Sequence, residues 1–348
     1  MTALAALLSA TGCVKFDGGQ PTGPQTEERP IAFPAPIVST ATKAATDNRT
    51  AYPEESSFGV YGLYYASGNF SGWESTPGTV TYIDGVEFAY DEDINDSSAG
   101  SGAWISDPAY YWPKTGKMTF GAWSPYSVKA AYGDSFSYGA TGLQITGFDS
   151  GADAGCDLMY SERVYDKSSS SGTSTSHDGI DLVFHHALAA LHFTSEASSG
   201  ISAKVAVSKI VLWGIHRQAD FSENVSEQAG QPAVYSSGPE WTMGATGRMY
   251  TRTDSLVLSG DNLSAYIIPQ EIGSDAKMRV YYTVQVGDGT PIPAVSQDVE
   301  LSGRTVDDGA DVLSEWEMAR RYNYNLILGA TMIRFTVNVR EWGGTKPI

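Results

Sequence analysis

The stretch that decides the fold is Lys277-Met278-Arg279-Val280-Tyr281-Tyr282-Thr283-Val284-Gln285-Val286. Its even positions carry apolar side chains, and most of its odd positions carry polar ones. A period of two places one kind of side chain on each face of a β-strand. The stretch therefore predicts a strand that buries one face in a core.

The same alternation recurs along the chain, most clearly in residues 332–339 near the C-terminal end. Further strand-like segments are residues 57–65, 118–124, 180–186, 190–194, 204–213 and 264–268. Because helical segments do not alternate with these strands, a parallel α/β sheet is disfavoured. Many short strands between Gly-, Pro- and Asp-rich turns predict an all-β protein built from antiparallel sandwiches.

Local signals add three expectations within this all-β pattern. Asp84-Gly85 stands between two alternating runs, residues 79–83 and 86–90, which predicts a tight β-hairpin. Residues 311–319 and parts of residues 153–162 have weak helical patterning, which predicts a turn or two of helix in each.

A serine-rich segment, residues 168–176, is the best candidate for an internal boundary. It predicts an N-terminal β-sandwich domain over residues 30–178 and a C-terminal β-sandwich domain over residues 179–348. The alternative is a long loop inside one domain. Residues 14–29, which are polar and contain Gly and Pro, are typical of a flexible tether.

The charge balance excludes one class of partner. The 348 residues include 22 Lys+Arg and 40 Asp+Glu, which gives a formal net charge of −18. A surface of this sign repels phosphate backbones and anionic lipid alike. No nucleic-acid partner is expected, and contact with a membrane requires an anchor.

Cys13 supplies such an anchor, because residues 1–13 resemble a bacterial lipoprotein signal that ends at an acylated Cys. The leader contains no Lys or Arg, which departs from that pattern. The alternative is a buried strand or helix start with an incidental Cys. Once acylated, Cys13 has no thiol left to pair with Cys156, so no internal disulfide is expected.

Five groups of segments, in order along residues 30–342, carry a resemblance to a known family. They are Pro30-Ile31-Ala32-Phe33 with Thr42-Lys43-Ala44 and Phe58-Gly59-Val60-Tyr61; Tyr110-Tyr111-Trp112-Pro113-Lys114-Thr115-Gly116-Lys117-Met118-Thr119-Phe120 with Trp123-Ser124-Pro125-Tyr126; Asp157-Leu158-Met159-Tyr160-Ser161 with residues 182–193; Tyr266-Ile267-Ile268-Pro269-Gln270; and Trp316 with Tyr322-Asn323-Tyr324-Asn325-Leu326 and Val337-Asn338-Val339-Arg340-Glu341-Trp342. Together they resemble the fimbrillin family, the subunits and accessory proteins of type V pili.

The resemblance implies two transthyretin-like antiparallel β-sandwich domains with Greek-key-type connections. It also implies export as a lipoprotein, display at the outer membrane and cell surface, and a role as a fimbrial structural or accessory subunit that contributes to adhesion. In polymerising members a protease removes the first strand, and a strand of another subunit fills the groove. The implied partners are other pilus subunits, the outer membrane through the lipid anchor, and a host or bacterial surface ligand.

The residues permit this mode of assembly. Residues 30–38 are the candidate removable strand, with Ile31, Phe33 and Ile37 as its apolar side chains and with prolines that suit an edge. Arg49 is the preferred position for proteolytic processing, and Lys43 is the second. The alternative is an ordinary loop with solvated basic residues.

The strand-like residues 332–339 are the candidate donor strand of this chain. Their apolar face consists of Ile333, Phe335, Val337 and Val339.

No motif for catalysis, cofactor binding or metal binding emerges. Asp91-Glu92-Asp93-Ile94-Asn95-Asp96 lacks the Gly and the final Glu of an EF-hand loop, so an acidic surface loop is expected. The adjacent His185 and His186 point to opposite faces of a strand and cannot share one ion. An enzyme is not expected, nor is a cofactor or a metal site.

Aromatic residues allow a second interpretation of function. Seven of them either fill sandwich cores, which is the favoured interpretation, or form a platform for sugars; they are Tyr64, Tyr65, Tyr110, Tyr111, Trp112, Trp123 and Trp241. The alternative function is a non-polymerising surface lipoprotein that binds glycan or host protein.

Overall fold

The structure is a computed structural model that describes residues 26–39, 50–73, 76–96, 100–152, 155–169, 180–199, 203–226, 234–235, 238–244, 247–260, 263–306, 311–328 and 333–342. It is 59% strand and 4% helix, which confirms the all-β prediction.

The first half of the described chain holds the following strands: β1 (Thr26–Pro30), β2 (Ile37–Ser39), β3 (Thr50–Ala51), β4 (Phe58–Tyr65), β5 (Val80–Asp96), β6 (Gly100–Ile105), β7 (Tyr111–Pro113), β8 (Lys117–Ser124), β9 (Phe136–Gly139), β10 (Gly142–Asp149), β11 (Met159–Ser161) and β12 (Val164–Lys167). One short helix, α1 (Ser127–Tyr132), and a 3₁₀ turn at Gly133–Ser135 lie between β8 and β9.

The second half holds these strands: β13 (Val183–His186), β14 (Ala189–Ala197), β15 (Ala203–Trp213), β16 (Gln218–Ser222), β17 (Val225–Ser226), β18 (Val234–Tyr235), β19 (Glu240–Thr242), β20 (Leu256–Ser259), β21 (Ser264–Ile267), β22 (Gln270–Glu271), β23 (Lys277–Val286), β24 (Ile292–Val295), β25 (Val299–Glu300), β26 (Arg304–Val306), β27 (Asp311–Leu313), β28 (Glu315–Trp316), β29 (Arg320–Leu328) and β30 (Ile333–Glu341).

Four larger sheets organise these strands. One has the order β3-β2-β13-β11-β8-β4-β5-β6, with β12 also paired to β8; a second has the order β19-β16-β10-β9; a third has the order β21-β14-β29-β30-β26-β27; and a fourth has the order β20-β15-β23-β24, with β25 also paired to β23. The remaining described pairs are β1-β7, β17-β18 and β22-β28.

The periodicity predictions are confirmed. β23 spans the residues whose alternation predicts it, and Met278, Val280 and Tyr282 point into the core. The third and fourth sheets pack these inward faces against each other, since Leu326 of the third sheet and Val280 of the fourth belong to one cluster. This is the sandwich arrangement.

The predicted hairpin at Asp84-Gly85 is wrong. Residues 79–83 and 86–90 do not pair with each other, because β5 runs continuously through Gly85 and pairs with β4 on both sides of it. Tyr61 pairs with Asp84 and Val60 with Val86, which leaves Gly85 as the extra residue of a bulge with φ of 62°. A bulge and a tight hairpin both favour a Gly with positive φ, so the local signal does not distinguish them.

The predicted helical turns are also wrong for the described residues. Residues 311–319 form the short strands β27 and β28, and residues 159–161 form β11. Pairing decides both cases, because β27 pairs with β26, and β11 pairs with β8 and β13. Tertiary pairing overrides weak helical patterning in segments this short.

The interior is divided among clusters of apolar side chains. One cluster lies against the nine-stranded sheet and includes Ile31, Phe33 and Trp112, and another lies between the third and fourth sheets. A third cluster, here called the junction core, joins Trp123 and Leu143 to Phe221, Tyr266 and Trp342. The second sheet likewise pairs β10 with β16, across the predicted boundary at residue 178. The division into two domains stays a prediction.

Candidate functional site: the leading segment and the edges it covers

Residues 26–39, here called the leading segment, join two sheet edges. β1 pairs antiparallel with β7, and the Ile31 N–H donates to the Tyr110 carbonyl at 2.7 Å. Phe33 and Trp104 exchange two backbone hydrogen bonds, at 3.0 and 3.1 Å, on the outer side of β6. β2 then pairs parallel with β13. The segment therefore covers β6 at one end of the nine-stranded sheet and β13 near the other end.

Prolines explain why the segment is bound at so few points. Pro30, Pro34 and Pro36 have no N–H, so they donate no ladder hydrogen bond. The N–H groups of Ile31 and Phe33 donate to the first edge, while that of Ile37 donates to the Leu182 carbonyl at 3.0 Å. The segment therefore makes fewer ladder hydrogen bonds than an uninterrupted strand of its length.

Burial of its apolar side chains is the main interaction that keeps the segment in place. Ile31 and Phe33 are fully buried, and Ile37 is partly buried. The Phe33 ring meets the rings of Phe58, Phe88 and Phe120 edge-on, with centroid distances of 5.5, 5.1 and 5.9 Å. The three surrounding rings, of Phe58, Phe88 and Phe120, are here called the Phe33 box. Each comes from a predicted strand, but periodicity alone does not say that they surround one side chain.

Tyr52 closes the far end of the segment. Its ring packs on Phe58 and Phe184, and its N–H donates to the Pro36 carbonyl at 3.0 Å. Its hydroxyl donates to the Ser57 carbonyl, and burial raises the pKa of this phenol above its usual value. Tyr52, directly after β3, therefore helps to hold the segment in place.

The predicted processing and lipidation residues lie outside the described part of the chain. They are Lys43 and Arg49, within residues 40–49, and Cys13. Residues 40–49 connect β2 to β3, and these strands pair antiparallel through Ile37 with Ala51 and Val38 with Thr50. A cut between residues 40 and 49 would separate the leading segment covalently from the rest of the fold.

The predicted donor residues lie in β30, which is already paired. Nine residue pairs join β29 to β30, from Arg320–Glu341 to Leu328–Ile333. Val337 is fully buried, while Ile333, Phe335 and Val339 are partly buried. Trp342 follows the strand and stacks between His186, at 3.7 Å, and Tyr266, at 5.0 Å.

Glu223 is a buried carboxylate that the sequence does not single out. Its Oε2 accepts the Leu143 N–H at 2.7 Å, and its Oε1 is buried without a hydrogen-bond partner among the described residues. Burial raises the pKa of Glu223 to about 7, although Leu143 and Arg163 act in the opposite direction. No local pattern marks this residue, because Glu223 follows β16 and is brought against Leu143 of β10 only by the pairing of these two strands.

The histidines take structural partners. His185 Nε2 lies 2.9 Å from Glu162 Oε1, and His186 Nδ1 lies 2.8 Å from Asp157 Oδ1, so the two rings reach different carboxylates. Within the described ranges, no group of three His, Cys, Asp or Glu side chains is arranged to hold a metal ion. None of the described helices is long and apolar enough to cross a membrane.

The aromatic residues considered for sugar binding are mainly core residues. Four of them are buried, namely Tyr64, Tyr65, Trp112 and Trp123. Trp241 packs on Phe148 and Phe221, and its indole N–H donates to the Ala187 carbonyl at 2.6 Å. These contacts favour the core interpretation over a sugar platform.

Comparisons with known proteins agree with this architecture. A family model described as fimbrillin-like matches residues 42–342. A search of curated proteins finds no match. Among solved structures, a candidate cell adhesion protein from Bacteroides uniformis is 15% identical with a TM-score of 0.51, and the match covers 91% of this chain and 100% of that one.

Two further solved structures are more distant in shape. A fimbrial protein from Bacteroides vulgatus is 18% identical with a TM-score of 0.44, and the match covers 82% of this chain and 92% of that one. A candidate cell adhesion protein from Bacteroides ovatus is 13% identical with a TM-score of 0.44, and the match covers 91% and 99% of the two chains. At these identities only the likeness to the Bacteroides uniformis protein carries weight, and it shows a shared fold.

Proposed function

The chain belongs to the fimbrillin-like family, and from this premise we propose that it is a non-enzymatic fimbrial subunit that accepts a strand from another subunit. The observation that carries the proposal is the leading segment, which covers two sheet edges and fills the Phe33 box. When that segment leaves, backbone groups on β6 and β13 lose their partners and an apolar slot opens. Unpaired edges beside an apolar slot are a template for a foreign strand.

Proteolysis is the proposed trigger. While the chain is intact, the leading segment stays near its site because residues 40–49 tether it to β3. Such a tether holds a segment at an effective concentration of about millimolar, so a free competitor rarely displaces it. A cut after Arg49 or Lys43 removes this advantage and makes exchange with another subunit's strand competitive.

The acceptor role has more structural support than the donor role. Donation of β30 would break its pairing with β29 and withdraw Trp342 from its stack. Ile333, Phe335, Val337 and Val339 remain the candidate donor face, on condition that β30 leaves its sheet. We keep acylation at Cys13 and attachment to the outer membrane as part of the proposal, with adhesion as its outcome.

The proposal is tested on the surface-exposed protein by N-terminal sequencing and by gel analysis in mild detergent. The mature terminus should be Thr50 or Ala44, and multimers should persist until heating, because interlocked strands dissociate slowly. The Arg49→Ala/Lys43→Ala chain should remain monomeric. Lys167→Ala, which changes a basic residue of β12 outside this connection, should behave like the unaltered chain. A terminus at Cys13 together with multimers of unaltered yield would contradict the proposal.

A further inference from the structure

The leading segment occupies two half-sites that differ in direction. In the first half-site, the chain at Phe33 runs antiparallel to β6, and Phe33 exchanges two backbone hydrogen bonds with Trp104. In the second half-site, β2 runs parallel to β13. Pro34, Ala35 and Pro36 carry the chain from one edge to the other, and the two prolines donate no ladder hydrogen bond.

The first half-site has a defined shape. The rings of Phe58, Phe88 and Phe120 stand at 80°, 81° and 86° to the Phe33 ring, so they enclose a planar side chain on several sides. Edge-to-face aromatic pairs contribute about 0.5–1.5 kcal/mol beyond the burial of area. An aliphatic side chain leaves gaps against three fixed rings, and an alanine leaves a cavity.

From these contacts we infer that the vacated groove selects its incoming strand by an aromatic side chain at the position of Phe33. Within three residues after that side chain, residues that donate no ladder hydrogen bond interrupt the strand and let it pass from the edge of β6 to the edge of β13. The inference rests on the proposed strand exchange, and the partner is an extended segment of another subunit. Its sequence carries an apolar residue, a small residue at the position of the buried Ala32 and an aromatic residue in that order, followed by a segment that, like Pro34-Ala35-Pro36, interrupts the ladder.

β30 illustrates the second requirement. Ile333-Arg334-Phe335 has the spacing of Ile31-Ala32-Phe33, but Thr336 and Val337 continue in the ladder with Asn325 and Tyr324. A straight strand of this kind supplies only the first half-site. β30 would therefore fit this groove less well than the leading segment, also because Arg334 would take the place of the buried Ala32.

The test uses the full chain with a specific protease site inserted between Ser39 and Thr50. The cut chain is unfolded in urea and refolded with an excess of labelled peptides, so that slow exchange does not hide binding. One peptide copies residues 29–39, a second carries Phe33→Ala, and a third carries Ala35→Ser as the matched control at an exposed position. Bound peptide is measured by fluorescence anisotropy after gel filtration.

We expect the Phe33→Ala peptide to bind at least about 100-fold more weakly than the native peptide, because loss of a buried Phe side chain commonly has this effect. The Ala35→Ser peptide should bind like the native one. Equal binding of the native and Phe33→Ala peptides would overturn the aromatic selection and leave strand exchange intact. If no peptide binds and the cut chain still refolds, strand exchange itself is wrong, and the inference falls with it.

Discussion

Phe33 and Glu223 are both fully buried, and they affect the native state in opposite directions. Burial of a Phe side chain stabilises the folded chain by about 1.5–3 kcal/mol. Burial of a carboxylate penalises its charged form, which the raised pKa of Glu223 expresses. The positive side chain nearby is Arg163, whose guanidinium donates to the Gly139 and Ala140 carbonyls and stacks on Trp73.

Glu223 leads to a prediction about pH. Its pKa rises from 4.5 in the unfolded chain to about 7 in the folded chain, so the folded state binds this proton more tightly. The stability it contributes is fully present below pH about 4.5 and is lost as the pH rises to about 7. Glu223→Gln removes this dependence. The difference in the free energy of unfolding between the variant and the unaltered chain should therefore shift by about 3 kcal/mol in favour of the variant when the pH is raised from 4.5 to 8.

Urea unfolding at the two pH values measures this change. Arg163, Tyr138 and Tyr160 interact electrostatically with Glu223 and remain in both proteins, so those parts of their contributions that do not depend on the Glu223 charge cancel in the comparison. Glu240→Gln, at an exposed position on neighbouring β19, is the control and should show no such change. A pH-independent difference between Glu223→Gln and the unaltered chain would refute the assignment.

At the scale of elements, the long strand β5 has a bulge at Gly85 in its pairing with β4. Gly85 stands at φ of 62°, a conformation that disfavours other residues. The Lys129 ammonium donates to the carbonyls of Asp84 and Gly85 at 3.4 and 3.3 Å, and the Tyr61 ring covers the bulge. The bulge thereby keeps both halves of β5 paired with β4. This pairing positions Phe58 and Phe88, which are two of the rings of the Phe33 box.

Gly85→Ala should therefore destabilise the chain by about 2–3 kcal/mol, since backbone strain adds to a contact with Tyr61. A Cβ at Gly85 would meet Lys129 Nζ first and would lie 2.9 Å from the Tyr61 ring, which stacks on Tyr138. Gly78→Ala is the matched control, because Gly78 has φ of 68° and no atom near its would-be Cβ. It should lose only about 1 kcal/mol through strain. Equal losses in urea unfolding would mean that contacts with Lys129 and Tyr61 add nothing to the backbone strain.

At the scale of the whole molecule, the two halves of the chain are joined by shared structure. β10 and β16 pair across the predicted boundary, and Arg217 Nε donates to Asp149 Oδ1 at 2.6 Å. Trp342, after the last strand, is buried against His186 in the junction core. Such contacts couple the unfolding of one half to that of the other.

Trp342→Ala should lower the free energy of unfolding by about 3–5 kcal/mol, because it opens a large cavity in the junction core. The loss should appear equally in hydrogen exchange of β4 and of β23, within a single calorimetric transition. Arg340→Ala, an exposed change two residues earlier and near the end of β30, serves as the comparison. Two separate transitions, with β4 unaffected, would mean that the halves unfold independently.

The sequence by itself determined the all-β class and the positions of the strands with clear alternation, because period-two alternation and turn residues act over a few neighbouring positions. The ordered segments along residues 30–342 carried the resemblance to the family. It also singled out Ile31 and Phe33, since apolar residues between prolines have few places in a sheet. Only the tertiary structure decided that Asp84-Gly85 forms a bulge, that three separate strands enclose Phe33, and that Glu223 and Trp342 are buried between the halves. These features depend on contacts between residues far apart in the chain, and no local pattern encodes which distant strands meet.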